Sequence, residues 1–264
     1  MHYCYCIMTY YKVIDIPFEI KGMGLFNSWT DFVSNEEKTA FRIEILPSVW
    51  GVHGIEQFQC MNDAHLFRHY TEVMMVSQDW KEAVILPPLV RESVEALLMQ
   101  MYYVHAAFQQ MIQVHSSLVD FQGQGILFLG PSGIGKTTQA ELWHQYAGAH
   151  IINGDRVYVK EEADLFYGCG TPWHGSSPYC LNQRVPIVCL VVLKQAKENH
   201  IRKLSGFEKV AAVSGNVFYP QWVKGGTDAV LDTLGRLLEK IPVYELSCLP
   251  SQDAVMLLKQ EISS

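Results

Sequence analysis

Ile126-Leu127-Phe128-Leu129-Gly130-Pro131-Ser132-Gly133-Ile134-Gly135-Lys136-Thr137-Thr138 is the stretch on which the reading of this chain turns. Residues 130–137 match G-x-x-x-x-G-K-[ST] at every fixed position. Each position has a mechanical job. Gly130, Gly133 and Gly135 let the backbone turn tightly, so that N–H groups from Gly130 through Ser132 and Ile134 to Thr138 can converge on phosphate oxygens. Lys136 adds a point charge for the outer phosphates, and Thr137 offers a hydroxyl to a magnesium ion. The four apolar residues ahead of Gly130 predict a strand, and Lys136–Ala147 predicts a helix closed by Gly148. Strand, glycine loop and helix is the order that sets an anion on a helix N-terminus. The alternative is an ordinary glycine turn, which neither flank favours.

Composition narrows the classes. With 264 residues, 49% hydrophobic and 18% charged, the chain is long and apolar enough for a globular core of one large or two smaller domains. Its net charge of −7 and the lack of any Lys/Arg-rich run argue against nucleic acid as a partner. Seven scattered cysteines, an odd number, read as free thiols in a reducing cytosol; Cys4-x-Cys6 has neither the gap nor the second pair of a zinc knuckle. No basic and apolar leader opens the sequence, and the longest apolar run, near Val185–Leu193, is too short to span a bilayer. The expectation is a cytoplasmic protein without a membrane partner.

Residues 1–85 read as strands with short helices between them, including strands over Tyr10–Ile16 and Phe41–Leu46, bounded by Pro17 and Pro47. His65 and His69 stand four apart, as on one helix face, but no third metal ligand is placed, so a surface or core helix is favoured. After Pro87-Pro88, apolar residues from Val90 through Met101, Tyr102 and Phe108 to Met111 and Ile112 recur at steps of three and four, predicting a long helix. The domain boundary is expected just before it, giving a region 1–85 and a catalytic unit 86–264.

Two further stretches converge on the loop. Leu118–Phe121 and Ile126–Leu129 flank Gln122-Gly123-Gln124-Gly125 and predict an antiparallel hairpin. If that four-residue loop is symmetric, Phe121 pairs with Ile126, and His115 extrapolates to Ser132. Nineteen residues after Lys136 comes Asp155, in Asn153-Gly154-Asp155-Arg156. A strand–helix–strand crossover makes its strand parallel to that of the loop and brings both C-terminal ends together. An acid there can hold magnesium or take a proton from an attacking hydroxyl; the same tripeptide is also good turn chemistry. Arg156 either contacts phosphate or pairs with an acid. Trp173-His174, in the Gly/Pro/Ser loop 170–178, either shape a pocket or pack. Val185–Leu193 predicts a buried strand, and Gln195–His200 a polar turn.

The blocks HSSLVDFQGQGILFLGPSGIGKTT (115–138), INGDRV (152–157) and GTPWHG…VPIVCLVVL (170–193), followed by IRKLSGFEKV and IPVYELSCLPSQDAV, resemble the HPr serine kinase family in order and spacing, over roughly residues 90–260. The resemblance implies an α/β fold: a phosphoenolpyruvate carboxykinase-like P-loop core with a mixed sheet, preceded by a smaller α+β region. It implies ATP and Mg2+ as cofactors, and a kinase moving the γ-phosphoryl group to a hydroxyl, such as a serine, of a peptide, protein or small-molecule acceptor. Catalytic duties fall to Asp155, His115 and Lys136, and magnesium to Thr137 and Asp155. Where the family has an acidic pair this chain has Gly154-Asp155, so only the second acid is kept. The arginine-rich loop of bifunctional members is not evident, and no phosphorylase activity is carried over. A nucleotide-binding regulatory module or ATPase without an acceptor is the alternative, and the missing acid keeps it open. A carboxykinase fits the chain's length poorly. Leu204-Ser205-Gly206 lacks the continuation of a transporter signature, and no Asn-Lys-x-Asp reads guanine. The acceptor, the role of residues 1–85 and homo-oligomer formation stay open.

Overall fold

The computed structural model describes residues 8–22, 27–46, 63–86 and 90–262, and the chain divides into two compact units at His105/Ala106. In the first unit, β1 (Met8–Val13) and β2 (Ile16–Lys21) form an antiparallel hairpin. A 3₁₀ helix (Asn27–Phe32), β3 (Phe41–Ile45), β4 (His65–His69), β5 (Glu72–Val76), β6 (Glu82–Leu86) and helix α1 (Arg91–Ala107) follow. The sheet order is β1-β2-β3-β6-β5-β4, with β2, β3 and β6 parallel and the outer pairs antiparallel.

Three readings of this region change. The strand over Tyr10–Ile16 is broken at Ile14, whose φ of 57° makes a turn that a β-branched residue disguises, and Pro17 lies inside β2 rather than ending a strand. His65 and His69 lie on strand β4, not on a helix. His65 stacks on Trp80 at 4.6 Å, and His69 Nδ1 lies 3.0 Å from Ser93 Oγ, so they have separate partners. The apolar stripe overruns its helix: α1 stops at Ala107, Gln110 has φ 57°, and Met111 and Ile112 begin the next strand. The division at His105/Ala106 falls within α1. The stripe packs on the first sheet, where the Tyr102 hydroxyl donates to Val13 O at 2.9 Å and His105 stacks on Phe41 at 4.6 Å. Pro47, Cys4, Cys6, Cys60 and Pro87-Pro88 lie outside the described residues.

The second unit runs β7 (Met111–Phe121), β8 (Gln124–Leu129), α2 (Lys136–Ala147), β9 (His150–Asn153), β10 (Arg156–Glu162), β11 (Leu165–Cys169), β12 (Arg184–Gln195), β13 (His200–Leu204), α3 (Gly206–Ser214), α4 (Gly226–Lys240), β14 (Val243–Cys248) and α5 (Gln252–Ile262). Its mixed sheet has the order β11-β10-β7-β8-β12-β14-β13, with β9 on β7 and β11 also paired to β12. The expected mixed α/β architecture is present. Strand β8 is parallel to β12, and β12 to β14. Both β8 and β9 are antiparallel to β7, so they run parallel to each other with β7 between them. The core forms where Ala140 and Trp143 of α2 and Ala254, Val255 and Leu258 of α5 cover the sheet, with Trp143 edge-on to Phe121 at 5.3 Å. Cys189 and Cys248 are free thiols, and burial pushes Cys189 up to about 12. No helix among the described residues is long and apolar enough to cross a membrane.

The β7–β8 hairpin differs in register from the symmetric reading. Phe121 faces Gln124, and Val119 faces Ile126. Gln122 and Gly123 alone make the turn, both at positive φ (56° and 82°), and Asp120 Oδ1 accepts the Gly123 N–H at 2.7 Å. The shift is two residues, an even number, so each side chain keeps its face. His115 therefore extrapolates to Gly130, the first residue of the glycine loop, rather than to Ser132.

Candidate functional site

Strand β8 ends at Leu129, and the loop leaves it through Gly130 (φ 142°), Gly133 (φ 79°) and Gly135 (φ 113°), conformations that favour glycine. Helix α2 starts at Lys136. Its ammonium donates to Gly130 O at 2.9 Å and Pro131 O at 3.2 Å, folding back over its own loop. Burial lowers the Lys136 pKa, Asp155 opposes that shift, and Arg156 adds to it. The Gly130 N–H donates to Asn216 Oδ1 at 3.0 Å. Asn216 also accepts the His115 N–H on its backbone carbonyl at 2.8 Å, so one residue clamps both the loop and the histidine strand.

Strand β7 changes partners at this point. Residues 111–115 pair with β10, and pairing with β8 begins at Ser116 opposite Leu129. His115 thus sits where the loop departs and β10 begins. Its Nε2 lies 3.1 Å from Asp155 Oδ1, while Arg156 Nε lies 3.2 Å from Oδ2. Asn153, fully buried, builds the turn: its Oδ1 accepts the N–H groups of Asp155 and Arg156 (2.9 Å each), and its Nδ2 donates to the carbonyls of Thr171 and Trp173. Burial pushes the Asp155 carboxyl up. The His115 hydrogen bond and the charges of Arg156, His115 and Lys136 outweigh it and hold the pKa below the usual carboxylate range. Asp155 is therefore an anion at neutral pH. Of its two readings, the structure shows the pairing with an acid: Arg156 pairs with Asp155 and lies 4.4 Å over the Phe218 ring, and its Nη1 is buried without a hydrogen-bond partner.

These groups border a cavity of about 550 Å³, with Ser132, Lys136, Thr137 and Thr138 on one wall and His115, Asp155 and Arg156 on another. Thr137 Oγ1 reaches 3.4 Å from Gly154 O. Gly130 and Ile134 are not on this wall. Ile134 instead lines an adjoining cavity of about 340 Å³ with Gln139, Leu193, Leu249 and Pro250; Gly133, Gly135 and Thr138 border both. Trp173 packs, buried, near Tyr158, and His174 bonds the Ser177 carbonyl, so neither is presented to the cavity. Among the described residues, no group of three or more His, Cys, Asp or Glu could form a metal centre by itself. Sequence reading missed Asn216, Phe218 and Ser177. No local signal marks the first two, while the Ser177 loop was visible only as a polar segment.

No protein-family model matches the chain. It is 24% identical over 119 residues to an HPr kinase/phosphorylase of Mycoplasmopsis pulmonis, covering 45% of this chain and 35% of that one. It is 32% identical over 117 residues to an HPr kinase/phosphorylase of Streptococcus thermophilus, covering 39% and 37%. The chain spans about a third of the length of these curated relatives. Among solved structures, the Hpr(Ser) kinase/phosphatase from Coxiella burnetii aligns with a TM-score of 0.35 at 12% identity, over 57% of this chain and 97% of that chain. Over part of its length the chain is similar to HPr kinase/phosphorylases.

Proposed function

We infer that this HPr kinase-like chain is a Mg2+-ATP-dependent phosphotransferase with a phosphoenolpyruvate carboxykinase-like core, acting on a hydroxyl acceptor such as a serine. One observation carries the reading: an ionised carboxylate, Asp155, is held between His115 and Arg156 across a cavity from a complete glycine loop. Phosphoryl transfer asks mainly for positioning and charge neutralisation. Loop amides from Ser132 to Thr138 would hold the phosphates. Lys136 would exchange its two neutral carbonyl partners for phosphate oxygens, and the unmatched Arg156 Nη1 offers a further donor. The adjoining 340 Å³ cavity, with Ile134, Leu193, Leu249 and Pro250 in its walls, suits a planar base.

Asp155 would accept the proton of the attacking hydroxyl, with His115 fixing the orientation of its carboxylate. Magnesium prefers oxygen ligands, and Thr137 Oγ1, the Gly154 carbonyl and Asp155 are the oxygens that would hold it. When bound, it would neutralise charge on the outer phosphates. The cytosol is where such chemistry with free thiols would operate. Incubation of the chain with labelled ATP and serine-containing peptides or proteins should give a phosphoester. Equal transfer by Lys136→Ala would overturn the reading.

A second reading, a regulatory nucleotide-binding module or ATPase, is favoured by one feature: Gly154 has no side chain, leaving a single carboxylate at the site. ATP binding with hydrolysis but no labelled acceptor in any fraction supports that alternative.

A further inference from the structure

Gly154 is not a glycine of backbone necessity, because it is not among the residues at positive φ. Its reason is closeness. A Cβ built on Gly154 would stand 1.9 Å from Ser177 Oγ and 2.4 Å from Ser177 Cβ, so no side chain fits at 154 while Ser177 is there. The Ser177 segment is held in place by several bonds. Ser177 N–H donates to His174 O at 3.0 Å, and its Oγ accepts the Tyr179 N–H at 3.3 Å. Gly154 N–H donates to Tyr179 O at 3.3 Å, and Leu181 N–H to Ile152 O at 2.8 Å, so the chain after Ser177 runs bonded along β9. Ser177 is 8% exposed, yet borders the same cavity as Thr137, Gly154 and Asp155. Thr137 Oγ1 lies 3.4 Å from the Gly154 carbonyl, and Ser177 and Asp155 line the same cavity as these two residues.

We propose that Ser177 is a ligand of the divalent cation, its hydroxyl supplying from the 170s loop the oxygen that residue 154, in the turn after β9, cannot supply. This rests on the phosphotransferase reading. A hard cation accepts neutral oxygens, and a corner with one carboxylate and two hydroxyls leaves most of the coordination to phosphate and water. The consequence is a cation site that depends on the bound nucleotide and weakens when the Ser177 hydroxyl is removed.

The test uses the full chain with Mn2+ as the probe and a non-hydrolysable ATP analogue, reading Mn2+ affinity by electron paramagnetic resonance. Ser177→Ala should weaken Mn2+ binding several-fold, with unchanged affinity for the metal-free analogue. The paired variant Ser177→Gly with Gly154→Asp, which clears the clash and restores an oxygen at the same corner, should bind Mn2+ at least as tightly as the natural chain. If the natural chain with the analogue binds no Mn2+, the phosphotransferase reading fails and takes this inference with it. If the natural chain binds Mn2+ and Ser177→Ala binds it equally well, or the paired variant stays as weak as Ser177→Ala, only the role of Ser177 is overturned.

Discussion

Strands β4 and β7 both carry histidines near the end of a sheet pairing, and they put them to different uses. On β4, an edge strand beside β5 alone, His65 stacks on Trp80 and His69 meets the Ser93 hydroxyl. On β7, a central strand with three neighbours, His115 meets the Asp155 carboxylate at 3.1 Å. The neighbours make the difference. Strand β8 ends opposite Ser116 and β10 begins opposite His115, so the glycine loop and the acidic turn must both form around that residue. A histidine on an edge strand meets packing groups; one at a junction of strand ends meets chemistry.

The strongest way to break this comparison is to neutralise the carboxylate. Asp155→Asn should lower phosphoryl transfer by about 10²–10⁴-fold, the usual range for a lost general base, while ATP binding measured by calorimetry survives. Turnover equal to the natural chain would remove Asp155 from the mechanism. Lys136→Ala should cost about 10²–10³-fold in transfer, the range for one lost charge-stabilising donor, and should weaken ATP binding as well.

His115→Gln sharpens the comparison through pH. The Asp155 pKa is depressed in the folded chain, so its stabilising contribution is present above the unfolded value, about 3.9, and disappears as pH falls through the folded pKa. Removing the His115 hydrogen bond should raise that folded pKa toward the unfolded one, so the variant loses less stability on acidification and the loss is complete at a higher pH. Urea unfolding midpoints followed from pH 7 down to 3 measure this, and identical pH profiles for the two chains would contradict it. The smallest effect belongs to β4. His65→Gln and His69→Gln should leave transfer and ATP affinity within about twofold and cost about 1 kcal/mol of stability at most, the worth of one neutral hydrogen bond. A large loss of transfer in either would place chemistry on β4 and end the contrast.

The hairpin shows how far a local reading reaches. A symmetric reading spreads its turn across four residues, whereas the Asp120 side chain and the positive φ of Gln122 and Gly123 complete it with two. Because the resulting shift is even, His115 kept its face and its place beside the loop. Parity survived where register did not. The apolar stripe of α1 could not reveal where its helix stopped, since Met111 and Ile112 are buried equally well in a strand.

By itself, the amino-acid order determined the glycine loop, helix α2 with its Gly148 cap, strand β12 and the turn that carries Asp155. Each of these is specified within a dozen residues, by positive-φ glycines, helical period or Asn-Gly-Asp chemistry. Only the tertiary structure decided that Asn216 clamps Gly130 across 86 residues of sequence, that Phe218 lies under Arg156, and that Ser177 stands in the space of a side chain at 154. Those contacts arise from which strands end together, and strand ends are brought together by the burial of distant faces, not by any pattern within the segment itself.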